Sequence, residues 1–165
     1  MGTATIQSYV CGQWVTGSDR GAALHNAVTG ELVGHAGSSG IDFSRVLQFG
    51  REQGAPALRK LRFHERAALL KRLAQHLMAM KEKFYAVSAW TGATRADGWV
   101  DIEGGIGTAF SYASIARREF ANETFLVEGP AERLSSKGSF IGRHILVPRE
   151  GVSVHINAFN FPCWG

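Results

Sequence analysis

Between residues 63 and 88 the apolar positions Leu70, Leu73, Leu77, Met80, Phe84 and Val87 recur in alternating steps of three and four. Arg66, Lys71, Arg72, Lys81 and Lys83 fall between them. Only a helix puts such a stripe on one side. The repeat runs for less than four heptads, so it predicts a core-facing helix rather than a coiled coil. Thr91-Gly92 ends it, with glycine just past the last turn. A second helical stretch, about 96–118, lines up Ile102, Ile106, Phe110 and Ala113. Gly104, Gly105 and Gly107 lie inside it, and each costs about 1 kcal/mol in a helix interior unless close packing needs it. Upstream, Ile41 to Gly54 follows Ser38-Ser39-Gly40 and places Phe43, Val46, Leu47 and Phe49 at mixed helical spacing.

The rest of the chain has a strand period or none. Tyr9 to Val15 predicts a strand with a turn, and Leu24 to Val33 predicts two short strands joined at Thr29-Gly30. Together they predict an edge hairpin region over 8–36, packed on a larger body. Residues 120–136 read as loop and turn. From Ser139 the period becomes two: Phe140, Gly142, His144 and Leu146 alternate with Ile141, Arg143, Ile145 and Val147. Gly151 to Ile156 is more apolar and predicts a buried, central strand. Asn160 followed by Pro162 predicts a helix N-cap with proline in the first turn. The order is that of an α/β protein. The apolar ending Phe159 to Gly165 reads as the N-terminal part of something longer, since termini are ordinarily polar and exposed.

Length and composition narrow the class. A chain of 165 residues, 45% hydrophobic and 19% charged, is one globular domain. The net charge of +4 and pI near 9.4 suit an anionic substrate and do not demand nucleic acid. Cys11 and Cys163 make no disulfide framework and no CxxC pair, which points to a reducing, cytoplasmic setting. The start, Met1 to Gln7, has no basic region and no apolar core of a signal peptide. No apolar run approaches the ~20 residues of a membrane span.

Candidate chemistry is sparse. Gly105-x-Gly107 lacks the third glycine and a preceding strand, so helix packing explains it better than a dinucleotide fingerprint does. The six histidines (25, 35, 64, 76, 144 and 155) have no metal-ligand spacing, and no metal is expected. His155, in an apolar stretch, reads as a hydrogen-bonded core residue, and His144 as a solvent-facing one. The basic positions of 59–84 read as a solvated helix face, because nucleic-acid platforms interleave aromatic with basic residues. Cys163 at a helix N-terminus is a conceivable nucleophile with a lowered pKa. With no base in its neighbourhood, and with Phe161 and Trp164 beside it, a buried thiol acting as a small hydrophobe is the better reading. Asn157 and Asn160 stand out. Amides at an apolar strand end need partners, and the C-terminal ends of strands are where α/β proteins bind ligands. An amide donor there can stabilise an oxyanion.

At these residues the chain resembles the aldehyde dehydrogenase superfamily. Gly151-Val152 leads to Ala158-Phe159-Asn160-Phe161-Pro162 with the spacing of the family's Gly-Val strand and Pro-Trp-Asn-Phe-Pro motif; Ala158 and Phe159 depart from it. Gly12-Gln13-Trp14 resembles the early Gly-x-Trp strand, Thr29-Gly30-Glu31 the Ala-Thr-Gly-Glu turn, and Glu65-Arg66-Ala67 the Glu-Arg-Ala helix start. Thr91-Gly92 resembles the Glu-Thr-Gly-Lys helix end, with Trp90 and Ala93 in place of its charged residues. Residues 92–97, 100–106 and 156–165 resemble one branch, the bifunctional phenylacetate-degradation enzymes that fuse an aldehyde dehydrogenase to an enoyl-CoA hydratase acting on oxepin-CoA. Trp99 and Cys163 favour that branch over the related semialdehyde dehydrogenases of the benzoyl-CoA (box) pathway.

The resemblance implies the N-terminal portion of an aldehyde dehydrogenase fold over 1–165. It implies an oligomerisation hairpin at about 126–148, hence a homo-oligomer, and the start of the Rossmann-like cofactor-binding and catalytic core at 151–165. It implies oxidation of an acyl-CoA semialdehyde with NADP or NAD in the catabolism of aromatic compounds. Asn160 matches the oxyanion-hole asparagine, and Ile156, Asn157, Ala158 and Phe159 match the strand end that lies along the cofactor. The family's catalytic cysteine and general-base glutamate have no counterpart within 1–165, so the chain alone is expected to be inactive. A rival of another class is a non-catalytic assembly module built on the 126–148 hairpin.

Overall fold

The computed structural model describes residues 4–158 and 161–165. Three short strands open the chain: β1 (Ala4–Ile6), β2 (Ser8–Val10) and β3 (Gln13–Val15). The last two form an antiparallel hairpin in which Tyr9 stands opposite Trp14. Their turn places Cys11 and Gly12 at positive φ (49° and 83°), the backbone that tight hairpins require. Strands β4 (Ala22–His25) and β5 (Leu32–Ala36) pair antiparallel, and β1 adds parallel to β5, giving the order β1-β5-β4. The turn expected at Thr29-Gly30 is present. Asn26 Oδ1 accepts the N–H groups of Val28 and Thr29, and Gly30 takes φ 75°. The Ala27 N–H donates to the Trp90 carbonyl at 2.7 Å, which ties this turn to the helical body.

The helices fall near their expected places. α1 (Phe43–Phe49) starts where Asp42 Oδ1 accepts the Arg45 N–H at 3.0 Å, and it continues through a π-helical turn, Gly50–Gly54, into α2 (Ala55–Arg59). The 63–88 stretch is two helices, α3 (Phe63–Ala79) and α4 (Lys81–Ser88), separated at Met80. The second stretch is α5 (Arg95–Trp99), a π-helical turn Val100–Gly104, and α6 (Gly105–Glu119). The buried face of α3–α4 is rotated from the leucine stripe. Ala67, Ala74, Tyr85 and Ser88 are buried, whereas Leu73 and Val87 are half exposed (52% and 51%). The reason is the close approach of α3 to α6, which only small residues such as Ala67, Ala74 and Ala113 permit. The core is Ala74, Tyr85, Ile102 and Ile106, flanked by Leu77, Met78, Phe84, Ala109 and Phe110.

Two sequence expectations fail. The loop expected over 120–136 contains strand β6 (Leu126–Arg133), which pairs antiparallel with β7 (Ile141–Leu146). A register shift between Glu128 and Glu132, with Gly129 at φ 67°, interrupts the alternation that would have identified it. The buried strand expected at Gly151 to Ile156 is not one. Val152, Val154 and Ile156 are exposed, and among the described residues no strand lies beside them. An apolar segment becomes a central strand only when neighbours pair with both its edges.

Candidate functional site

The last described residues, Phe161–Gly165, form a turn against the start of α6. Its attachment is Asp101, in the π-helical turn and only 4% exposed. Asp101 Oδ1 accepts the Trp164 N–H at 2.8 Å and the Cys163 N–H at 3.1 Å, while Oδ2 lies 3.2 Å from the Cys163 nitrogen. The Trp164 side chain lies across Gly104 and Gly105. A Cβ on Gly104 would overlap the indole ring, and one on Gly105 would stand 2.9 Å from the Trp164 Cα. Two of the three glycines that looked costly in a helix interior, Gly104 and Gly105, are therefore where an indole needs room. Gly105-x-Gly107 sits within α6; close packing explains Gly105, whereas a Cβ on Gly107 would meet nothing within 4 Å.

Of the expected site residues, Asn160 and Phe159 lie outside the described residues. Ile156, Asn157 and Ala158 are exposed and precede the docked turn. Asn157 does not sit in an apolar strand end: it packs against Gly165, where a Cβ would come within 2.8 Å of the Asn157 Cβ.

Cys163 corrects one expectation, its burial, and agrees with the rejection of a low-pKa nucleophile. The residue is exposed rather than buried, because Trp164 turns onto the glycines instead of over the thiol. Its thiol pKa is raised, not lowered, by partial desolvation first and then by the adjacent Asp101 carboxylate, which also hydrogen-bonds it. A neutral thiol is a poor nucleophile at neutral pH. His155 is likewise not a core residue. It is exposed, and its ring lies 3.1 Å from the Ser153 hydroxyl. His144 faces solvent beside Glu128. Among the described residues no group of three His, Cys, Asp or Glu is placed to hold a metal, and no helix is long and apolar enough to cross a membrane.

Asp101 is the site residue that the sequence reading missed. Its signal was a carboxylate next to Ile102, which is fully buried, and one helical turn before Gly105. Beside it, Glu103 accepts from Lys81 Nζ at 3.1 Å and from the Tyr85 hydroxyl at 2.9 Å. Those partners, Lys81 first, hold its carboxyl below the usual glutamate range. Arg95 stacks over the Tyr85 ring, 4.2 Å from its centre. This second cluster locks α4 to the π-helical turn that carries Asp101.

The chain is 42% identical over 161 residues to a 3,4-dehydroadipyl-CoA semialdehyde dehydrogenase from Aromatoleum evansii. The match covers 97% of this chain and 31% of that relative, so the chain spans about a third of the relative's length. The pattern of the aldehyde dehydrogenase family matches residues 14–164, from the second strand of the first hairpin to the tryptophan docked on Gly104 and Gly105. With a match that runs through the β4–β5 and β6–β7 hairpins, the helix pair and the docked turn, the chain belongs to the aldehyde dehydrogenase family.

Proposed function

We propose that this chain carries the oxyanion-stabilising asparagine of an NAD(P)-dependent aldehyde dehydrogenase that oxidises an acyl-CoA semialdehyde to the acid. The observation that carries the reading is 42% identity to a dehydrogenase of a CoA-thioester semialdehyde over nearly the whole chain. In this reading the Asn160 amide donates to the aldehyde oxygen as negative charge develops on it. The main chain of Ile156 to Phe159 borders the cofactor, NAD or NADP, which when bound accepts the hydride. The nucleophile and general base belong to parts of the enzyme outside 1–165. The two free cysteines, Cys11 and Cys163, fit a reducing, cytoplasmic setting.

The relative's name favours the benzoyl-CoA alternative. The phenylacetate branch, with a fused enoyl-CoA hydratase acting on oxepin-CoA, rests on Trp99 and Cys163, both of which are exposed here. Self-association through β6–β7 is the proposed mode of assembly, and it is compatible with catalysis elsewhere in the enzyme.

The test is Asn160→Ala in the full-length protein, assayed with acyl-CoA semialdehydes of both pathways. A donor aimed at a charge that exists only during reaction acts on turnover, so kcat is expected to fall about 10²–10³-fold. Cofactor affinity, titrated separately, stays within about threefold. Full turnover in the variant, or no oxidation of either semialdehyde by the wild type, refutes the reading.

A further inference from the structure

Asn160 was expected to cap the N-terminus that Pro162 announces. A capping side chain accepts the N–H of the second or third residue after it. The second is Pro162, which has none, so the cap rule leaves the Cys163 N–H. That N–H is held by Asp101, 62 residues upstream, together with the N–H of Trp164. A buried carboxylate is unfavourable unless donors answer it. Here its donors are backbone groups of the segment that directly follows Asn160. The docking of Trp164 on Gly104 and Gly105 is a second, steric attachment of the same segment to the same helical turn.

We propose that Asp101 is a positioning residue: it caps the Phe161–Gly165 turn, fixes that turn on the start of α6, and so anchors the segment that directly follows Asn160. The proposal rests on the role given to Asn160 above. Asn160 is joined to Phe161 by one peptide bond, so any displacement of the turn reaches it directly. Misplacing a catalytic group by about 1 Å costs up to ~10²-fold.

The experiment compares Asp101→Asn, Asn160→Ala and the double variant in the full-length protein. Asparagine keeps the shape of aspartate, but it removes the charge and presents an NH2 group where an acceptor stood. Hydrogen exchange of the Cys163 and Trp164 amides is expected to accelerate in Asp101→Asn and not in Asn160→Ala, with α3 and α6 unchanged in both. Turnover of Asp101→Asn falls about tenfold to a hundredfold, while the KM for cofactor stays within about threefold. In the Asn160→Ala background the same change costs less than about twofold, because the group it positions is already gone.

Unchanged exchange in Asp101→Asn, or faster exchange in Asn160→Ala, overturns the capping role. Losses that multiply in the double variant overturn the positioning role. Should Asp101→Asn fail to fold, Gly105→Ala presses on the Trp164 backbone and leaves Asp101 in place. It is expected to give the same coupled loss of turnover, and independent losses again overturn the proposal. A wild type that does not oxidise aldehydes defeats the proposed function, whereas the exchange of the two amides still decides whether Asp101 is the cap.

Discussion

Cys163 shows how far one contact can redirect a residue. Its place near a helix N-terminus argues for a lowered pKa, and its apolar neighbours argue for burial. Neither holds: Trp164 turns onto Gly104 and Gly105 and leaves the thiol exposed, and partial desolvation, with the adjacent Asp101 carboxylate second, raises its pKa. The raised pKa makes a prediction with a definite sign. Alkylation of Cys163 by iodoacetamide, followed by peptide mass spectrometry, is expected to be slow at neutral pH. Its rate should inflect above the ~8.5 of a free thiol. Asp101→Asn removes the neighbouring negative charge and moves the inflection down. Cys163→Ala keeps most of the turnover of the full-length enzyme. Rapid alkylation at pH 7 with loss of activity, prevented by substrate, would restore the thiol as nucleophile.

Among the elements, the α3–α6 pair and the π-helical turn between α5 and α6 form the platform on which the candidate site rests. Ile102 and Ile106 hold the platform from inside, and Glu103 ties it to α4 through Lys81 and Tyr85. Glu103 has a folded pKa below its unfolded value of ~4.3. Its contribution to stability is therefore complete above about pH 4.3 and is lost as pH falls through the lower folded value. Glu103→Gln is expected to lower the melting temperature at pH 7 and to flatten its decline between pH 5 and 3. Melting curves of both proteins across that range check it, and parallel acid limbs would show that the pairing contributes nothing. Lys81 and Glu103 are partly exposed, so high salt should shrink the difference.

At the scale of the whole molecule, the helical body and its small N-terminal sheet are tied together, whereas β6–β7 presents apolar side chains outward. Val127 stands opposite Ile145, and Ile141 and Ile145 are more than half exposed. An exposed apolar hairpin face of this kind marks an interaction surface. The self-association proposed for it predicts that Ile141→Lys with Ile145→Lys yields a smaller species than the wild type by size-exclusion chromatography with light scattering. The helix signal in circular dichroism should stay unchanged. An unchanged mass would leave the hairpin without that role.

Local chemistry alone determined much of this protein. The 3.6-residue period placed the helices, turn residues such as Asn26 and Gly30 closed a hairpin, and the motif spacing around Asn160 carried the family. These signals are legible because each depends on residues within a few positions of one another. Contacts between distant residues decided the rest. The leucine stripe of α3 is rotated toward an alanine face because of what packs on it, with Leu77 kept against the core and Leu73 turned out, and the bulge at Gly129 hid β6. The apolar run at Gly151 to Ile156 is unpaired because strand burial depends on neighbours that its own pattern does not encode. The capping of Cys163 and Trp164 by Asp101 joins residues 62 and 63 positions apart. Periodicity within either segment carries no trace of that bond, because burial of a carboxylate is decided by the donors that folding brings to it.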